Sequence, residues 1–393
     1  MRFATMLRRY DINLIAVIAV AAIMIFMYGQ INYAVPPYST EWNLVDYRAI
    51  AAASPGLNIH VESPFVYRIL GPYIVGLLPI PDPVGFRILA AIASTVCVVL
   101  YYYFLRYFGI KGSVAALVTV LYIFNPWLFG FTSWDSFHIN EILSLIYMIV
   151  LFLAMLRSKW ILFALTLLLA AVTRETAMLM IPVAFFYLVE KKKLSEEGRS
   201  YALAIIPGIV VFVLLRLVMQ PVAGPSLQEG LADNIGKFLS AETWFRLVIR
   251  AFIPLSLLPI IFLNRTIFFF KDKKYMLGFL VLVFVSAFFG RENERLMIPA
   301  IVVFYLLIAD IVQTYLYSYR VMLALLLACG FLSSLHHEIA RYPLPKTLVV
   351  VLSLVSLLVV SVASYVVTRR EGITIWGRMA GGLHWASARR AKS

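Results

Sequence analysis

Charge is scarce in this chain. Only 14% of its 393 residues are charged against 62% hydrophobic, and the mean hydropathy is +0.90. Soluble domains carry roughly 25% charged residues, so a water-soluble globular fold is excluded. Cysteine is scarcer still. Cys97 and Cys329 are the two, both inside apolar runs, which argues against a disulfide framework and against a thiolate metal site. No glycine repeat marks a fibrous protein, and Leu, Ile, Val and Phe are too abundant for a disordered one. The signatures of soluble enzymes are missing as well: no G-x-x-x-x-G-K-[ST], no strand-borne G-x-G-x-x-G, no G-x-S-x-G and no H-E-x-x-H. The two halves show no repeat, so an inverted-repeat transporter finds little support.

What the chain has in quantity is apolar runs of membrane length. A helical crossing takes about 20 residues. Runs at 12–32, 84–105, 113–131, 139–156, 160–173, 177–190, 201–219, 249–264, 275–289, 297–312, 321–336 and 347–367 predict an all-α polytopic membrane protein with twelve crossings, two of them short. Starting the chain in the cytoplasm puts 22 of the 34 Lys and Arg on the inside and 13 of the 20 Asp and Glu outside. That is the positive-inside bias, so the net charge of +14 reads as a topology signal rather than a nucleic-acid surface. Both termini are expected in the cytoplasm, the last being a basic tail over 369–393. The first run is too long for the core of a cleaved signal and reads as an anchor. The Asn264-Arg265-Thr266 sequon falls on the inside, and Tyr101-Tyr102-Tyr103 reads as an interfacial aromatic belt.

Two departures from a plain bundle stand out on the predicted outer face. The first outer loop, 33–83, holds two helical stretches too short or too interrupted to span, Trp42 to Ala53 and Pro64 to Leu78, read as helices lying on the membrane surface. The second departure is the pair of runs 160–173 and 177–190. Fourteen residues of helix cover about 21 Å, less than the ~30 Å hydrocarbon core. The tip Thr173-Arg174-Glu175-Thr176 should therefore stop within the membrane, where charge survives only inside protein or beside water. A polar cavity open to the outside is expected there.

Four charged groups would meet in such a cavity. They are Asp46-Tyr47-Arg48 with Tyr67-Arg68, then Ser133-Trp134-Asp135-Ser136-Phe137-His138-Ile139-Asn140-Glu141, then Arg174-Glu175, then Gly290-Arg291-Glu292-Asn293-Glu294-Arg295. Arg246 and Arg250, one turn apart, make a fifth. Plain alternatives stand beside each: solvated loop ends for Glu141, Arg246 and Arg250, a hydrogen-bonded interfacial ring for His138, local pairing of Arg291 and Arg295 with Glu292 or Glu294, and of Asp46 with Arg48. Arg174-Glu175 is hardest to explain as structure alone. His336-His337-Glu338 lacks the spacing that puts two histidines on one helix face, so it is a poor metal motif.

In their order and placement these residues resemble the GT-C superfamily of integral-membrane glycosyltransferases, which use polyprenyl-phosphate-linked sugars. The likeness rests on Asp46 in V-D-Y-R-A-I-A of a long first outer loop, on the T-R-E-T-A-M-L-M-I-P hairpin, and on G-R-E-N-E-R-L-M-I-P. The last looks like the H-K-E-E-R-F motif of lipid-linked mannosyltransferases, with Arg291 in the His place and Asn293 among the acidic positions. The resemblance implies a catalytic transmembrane core over 1–312, including the loop 33–83, followed by further membrane helices over 313–368. It implies Asp46 as general base toward an acceptor hydroxyl, inversion at the anomeric carbon, and an extracytoplasmic active site. Arg174, Arg291, Arg295, Arg68 and Arg48 would hold the donor phosphate, and Asp135, His138, Glu175, Tyr67, Glu292 and Glu294 the acceptor or sugar. A divalent cation, Mg or Mn, serves some relatives and not others, with Asp135 and Glu175 the residues to help hold it here. The expected partners are the lipid-linked donor, a glycan, lipid or protein acceptor, and the bilayer, with no nucleic acid. Two rival readings are a flippase or transporter of an anionic lipid or solute, and a polysaccharide polymerase or ligase.

Overall fold

A computed structural model describes residues 11–32, 44–222, 236–288 and 293–370. Those residues form helices, turns and loops, with no strand among them. Five helices are long and apolar enough to cross a membrane: Asp82–Tyr107, Ser136–Leu156, Leu194–Val218, Ile298–Leu316 and Lys346–Arg370. A bent pair, Gly112–Ile123 and Pro126–Trp134, meets at 63° and makes a sixth if counted as one span. Four shorter apolar helices accompany them, Ile12–Met27, Trp160–Ala171, Lys274–Ala287 and Arg320–Ser334.

The protein is thus an all-helical, polytopic membrane protein, but the described residues do not provide twelve spanning helices. The reason is that a hydropathy run measures apolar length and not helical continuity. At Asn125 the side chain accepts from the Trp127 and Leu128 N–H groups and donates to the Ala251 carbonyl, which ends one helix and starts another at Pro126. The run 249–264 breaks into a 3₁₀ turn at Arg250–Phe252 and short helices at Leu258–Ile261 and Leu263–Lys271, with Pro254 and Pro259 supplying no backbone donor. The run 177–190 yields a helix of only 11 residues, Met180–Glu190. The Ile298–Leu316 helix also continues through position 312, where the sequence placed a division.

Burial separates centre from rim. The apolar stretch of Ile298–Leu316 is 78% buried and that of Leu194–Val218 only 17%, so the former is the axis of the bundle and the latter turns Leu203, Val210, Val213 and Leu217 outward. The first loop forms the helices Leu44–Ala53 and Leu70–Gly76, the second after a 3₁₀ turn at Phe65–Tyr67. Both lie at one end of the bundle, called the upper end below. The lower end is tied by the Arg265–Asp310 fork, with both bonds at 2.6 Å.

Candidate functional site

The hairpin is built as its sequence demands. Trp160–Ala171 stops after 12 residues, Glu175–Leu179 forms a 3₁₀ turn, and Met180–Glu190 returns. Arg174, in extended conformation between them, has 2% of its side chain exposed and pairs with Glu141, equally buried at the head of Ile139–Leu156. Arg295 approaches the same carboxylate, Nε to Oε1 at 3.7 Å, and its Nη1 lies 2.8 Å from His138 Nε2. That histidine stands 3.3 Å from Asp135 Oδ2. Glu175 pairs with Arg68, whose Nε donates to Oε2 at 3.1 Å. Residues more than 200 positions apart in the chain therefore form one network, in which Arg68, Arg174, Glu141, Asp135 and His138 are buried and Arg295 is partly so.

The first loop is fastened to this network by Asn140. Its amide donates to the Arg68 carbonyl at 2.7 Å and accepts from the Gly71 N–H at 3.1 Å. Gly71 has to be glycine here, since a Cβ would fall 2.5 Å from Ile139 Cγ2 and 2.7 Å from Asn140 Oδ1. Tyr47, fully buried, meets the His138 ring edge-on at 6.0 Å and Phe65 at 5.4 Å, and its hydroxyl lies beside Arg68. Asp46, its neighbour, is half-buried and accepts from the Glu62 N–H at 3.3 Å. Burial raises its pKa above the ordinary carboxyl value, and the Glu62 N–H opposes that.

Of the predicted site residues, the structure gathers Arg174, Glu175, Arg68, Arg295, His138 and Asp135, with Asp46 next along the helix to Tyr47. Arg48 is exposed and pairs instead with Asp82. Tyr67 lies under the Arg216 guanidinium at 4.8 Å. Glu294 is buried but turned away from Arg174: it is gripped by Arg246, at 2.7 and 2.9 Å, and by Arg250 at 3.1 Å. Arg291 and Glu292 lie outside the described residues. Arg216, with a half-buried side chain, was missed. Its signal is a lone cation in an apolar run, at an end where the charge bias disfavours one.

Where the sequence predicts a hydrated cavity at the hairpin tip, the described residues place these groups in pairs with one another. The physical reason is that buried guanidinium and carboxylate groups cannot stay unneutralised away from water. The carboxylates named for a cation are committed too, Glu175 to Arg68 and Asp135 beside His138. Among the described residues no group of three or more His, Cys, Asp or Glu converges as metal ligands.

Fold and site together define an integral-membrane protein with a buried charge network at one end of a helical bundle. Residues 15–391 match the family described as "Predicted membrane protein (DUF2079)", and the chain belongs to it. Comparison with curated proteins returns no match.

Proposed function

We propose that the protein is a membrane glycosyltransferase of the GT-C kind, moving a sugar from a polyprenyl-phosphate donor to an acceptor hydroxyl. The upper end would be extracytoplasmic and both termini cytoplasmic, following the charge bias. The observation that carries this reading is the convergence of Arg68, Arg174 and Arg295 from three distant segments beside the loop that bears Asp46. With Arg216 nearby, four guanidinium groups face the carboxylates of Glu141, Glu175 and Asp135. A donor phosphate entering there exchanges one carboxylate partner for another anion and leaves the arginines neutralised. Arg291 and Arg48 stand in reserve for the same role.

In the reaction, Asp46 takes the proton of the acceptor hydroxyl as its oxygen attacks the anomeric carbon. The bond to the phosphate oxygen breaks on the opposite face, which inverts the configuration. The leaving phosphate keeps its charge, stabilised by arginine, so no second carboxylic acid is required. Asp135, His138, Glu175 and Tyr67 would orient sugar or acceptor hydroxyls. Incubating the purified protein with a panel of radiolabelled polyprenyl-phosphate sugars tests this. Transfer that depends on Asp46 supports it, and no transfer from any donor by folded protein refutes it.

The self-paired state of the network favours one other reading, a carrier or flippase of an anionic lipid, whose empty form must neutralise its own binding charges. Asp46→Ala separates them: loss of transfer with donor binding intact marks the enzyme, loss of flux alone the carrier.

A further inference from the structure

Arg174 and Glu175 are neighbours in the chain but end in ion pairs of opposite character. Arg174 and Glu141 are each 2% exposed, a sealed couple. Glu175 reaches to Arg68, whose side chain is 8% exposed, while its own is 33% exposed. The hairpin tip thus holds one pair shut away from solvent and one whose carboxylate stands at the surface.

Beside the open pair lies a cation with no carboxylate of its own. Arg216 stands in the last turn of Leu194–Val218. Its guanidinium is 3.4 Å from the centre of the Phe212 ring and 4.8 Å from that of Tyr67, and its Nη1 donates to the Phe212 carbonyl at 3.2 Å. Among the described residues it forms no ion pair, and the charged groups that act on it are Glu175 and Arg68. The end of its helix is fixed against the first loop. The Gln220 N–H donates to the Ile59 carbonyl at 3.1 Å and the Val222 N–H to the Val61 carbonyl at 3.4 Å. The next loop residue, Glu62, is the one whose N–H holds Asp46. Leu214, Leu217 and Val218 on the same helix are exposed, as befits a face turned to lipid. Two guanidinium groups therefore share one carboxylate at a rim between the bilayer and the loop of Asp46.

We infer that Glu175 is a resident counter-ion which the donor's phosphate displaces from Arg68, and that this rim selects a singly charged phosphodiester over a diphosphate. The inference rests on the sugar-transfer reading and deepens it, naming the carboxylate that yields and the charge of the lipid headgroup. A lipid phosphodiester carries one negative charge, so Arg68, Arg216, Glu175 and the phosphate together sum to zero. A diphosphate brings at least one charge more, and the neighbouring Arg174 is already matched by Glu141. The step is an exchange of ion pairs in which no covalent bond changes. Glu175 moves out by its exposed side and is then free to accept from a sugar hydroxyl, the part given to it above.

Binding without chemistry tests this. Purified full-length protein in detergent is titrated calorimetrically with farnesyl methyl phosphate, a phosphodiester, with farnesyl diphosphate, and with farnesol. The wild type should hold the phosphodiester at least about fivefold more tightly than either of the others, the effect of one charge beside a phosphate. Glu175→Gln removes the resident anion, so it should bind both phosphates more tightly and reverse their order. Glu175→Asp keeps the charge and should keep the wild-type order. Arg216→Gln has no ion pair to lose and should fold even if Glu175→Gln does not. It should weaken the phosphodiester at least about fivefold and leave farnesol as it was. A wild-type preference for the diphosphate, a folded Glu175→Gln that binds the phosphodiester no more tightly, or an unchanged affinity in folded Arg216→Gln overturns the inference. Sugar transfer is assayed in parallel. Selective binding with no transfer from any donor refutes the catalytic reading alone, and transfer by a protein whose phosphate preference ignores Glu175 refutes this inference alone.

Discussion

Glu294 and Arg295 are consecutive residues that serve two different charge clusters. Glu294 takes both bonds of the Arg246 fork, Nε to Oε1 at 2.7 Å and Nη2 to Oε2 at 2.9 Å, while Arg295 reaches the opposite way to His138 at 2.8 Å. The short helix Asn293–Leu296 is therefore the partition between the network at the hairpin tip and the arginine pair beside Trp127.

Removing the partition's carboxylate exposes that dependence. Glu294→Ala leaves Arg246 and Arg250 facing each other, each with about a third of its side chain in water. Partial solvation limits the cost, so a loss of about 1–3 kcal/mol is expected, less than for a wholly buried pair. Thermal unfolding in detergent reads it, and an unchanged midpoint would show that the fork contributes nothing.

The Arg174–Glu141 pair is the harsher case, with both side chains only 2% exposed. Arg174→Met alone strands a buried carboxylate and should cost about 3–5 kcal/mol. Combining Arg174→Met with Glu141→Leu should recover most of that stability while leaving sugar transfer abolished. A denaturant double-mutant cycle measures the coupling, and single changes that simply add would contradict the pairing.

In the proposed mechanism Asp46 is the base, so it should set the pH dependence. Asp46→Asn should lower transfer by roughly 10²- to 10⁴-fold with unfolding little changed, because the side chain is only half-buried. A base must be ionised, so activity falls as pH drops through its pKa, and burial sets that pKa above the ordinary carboxyl value of 3.8. The acid limb of kcat/KM should accordingly lie on the high side of 3.8 and vanish in the variant.

Asn140 is the clasp of the first loop. Asn140→Leu strands the Arg68 carbonyl and the Gly71 N–H, at about 1–3 kcal/mol for each buried group. The consequence to measure is local: proteolysis between residues 54 and 82 should accelerate well before the bundle unfolds.

Orientation is open to a direct chemical check. With Cys97 and Cys329, both buried, replaced by serine, single cysteines at Glu338 and Lys192 should label oppositely with a membrane-impermeant maleimide in intact cells. Labelling at Glu338 only fits the charge bias, and labelling at Lys192 only reverses it.

Much of the candidate site could be read in the chain because charge is so rare in it. In an apolar sequence Arg174-Glu175 has no inexpensive explanation, and the structure does bury Arg174 within a network. Which partners the charges take was not readable. Glu175 turns to Arg68 rather than to its neighbour, and Glu141, which reads as a solvated loop end, proves to be shared by Arg174 and Arg295. Such pairings depend on which helix heads meet in space, and residue spacing within one segment carries no information about that. Helix continuity was hidden for a similar reason: Asn125 ends its helix with hydrogen bonds that reach across to the Ala251 carbonyl.

By itself the sequence determined that this protein lies in a membrane, that it is helical, and where its few charges must be sheltered, because hydrophobicity and charge are additive along a chain. The tertiary structure alone decided how many helices run unbroken and which carboxylate neutralises which arginine. Those are properties of contacts between segments far apart in the chain, settled by packing and by the need of every buried charge for a partner.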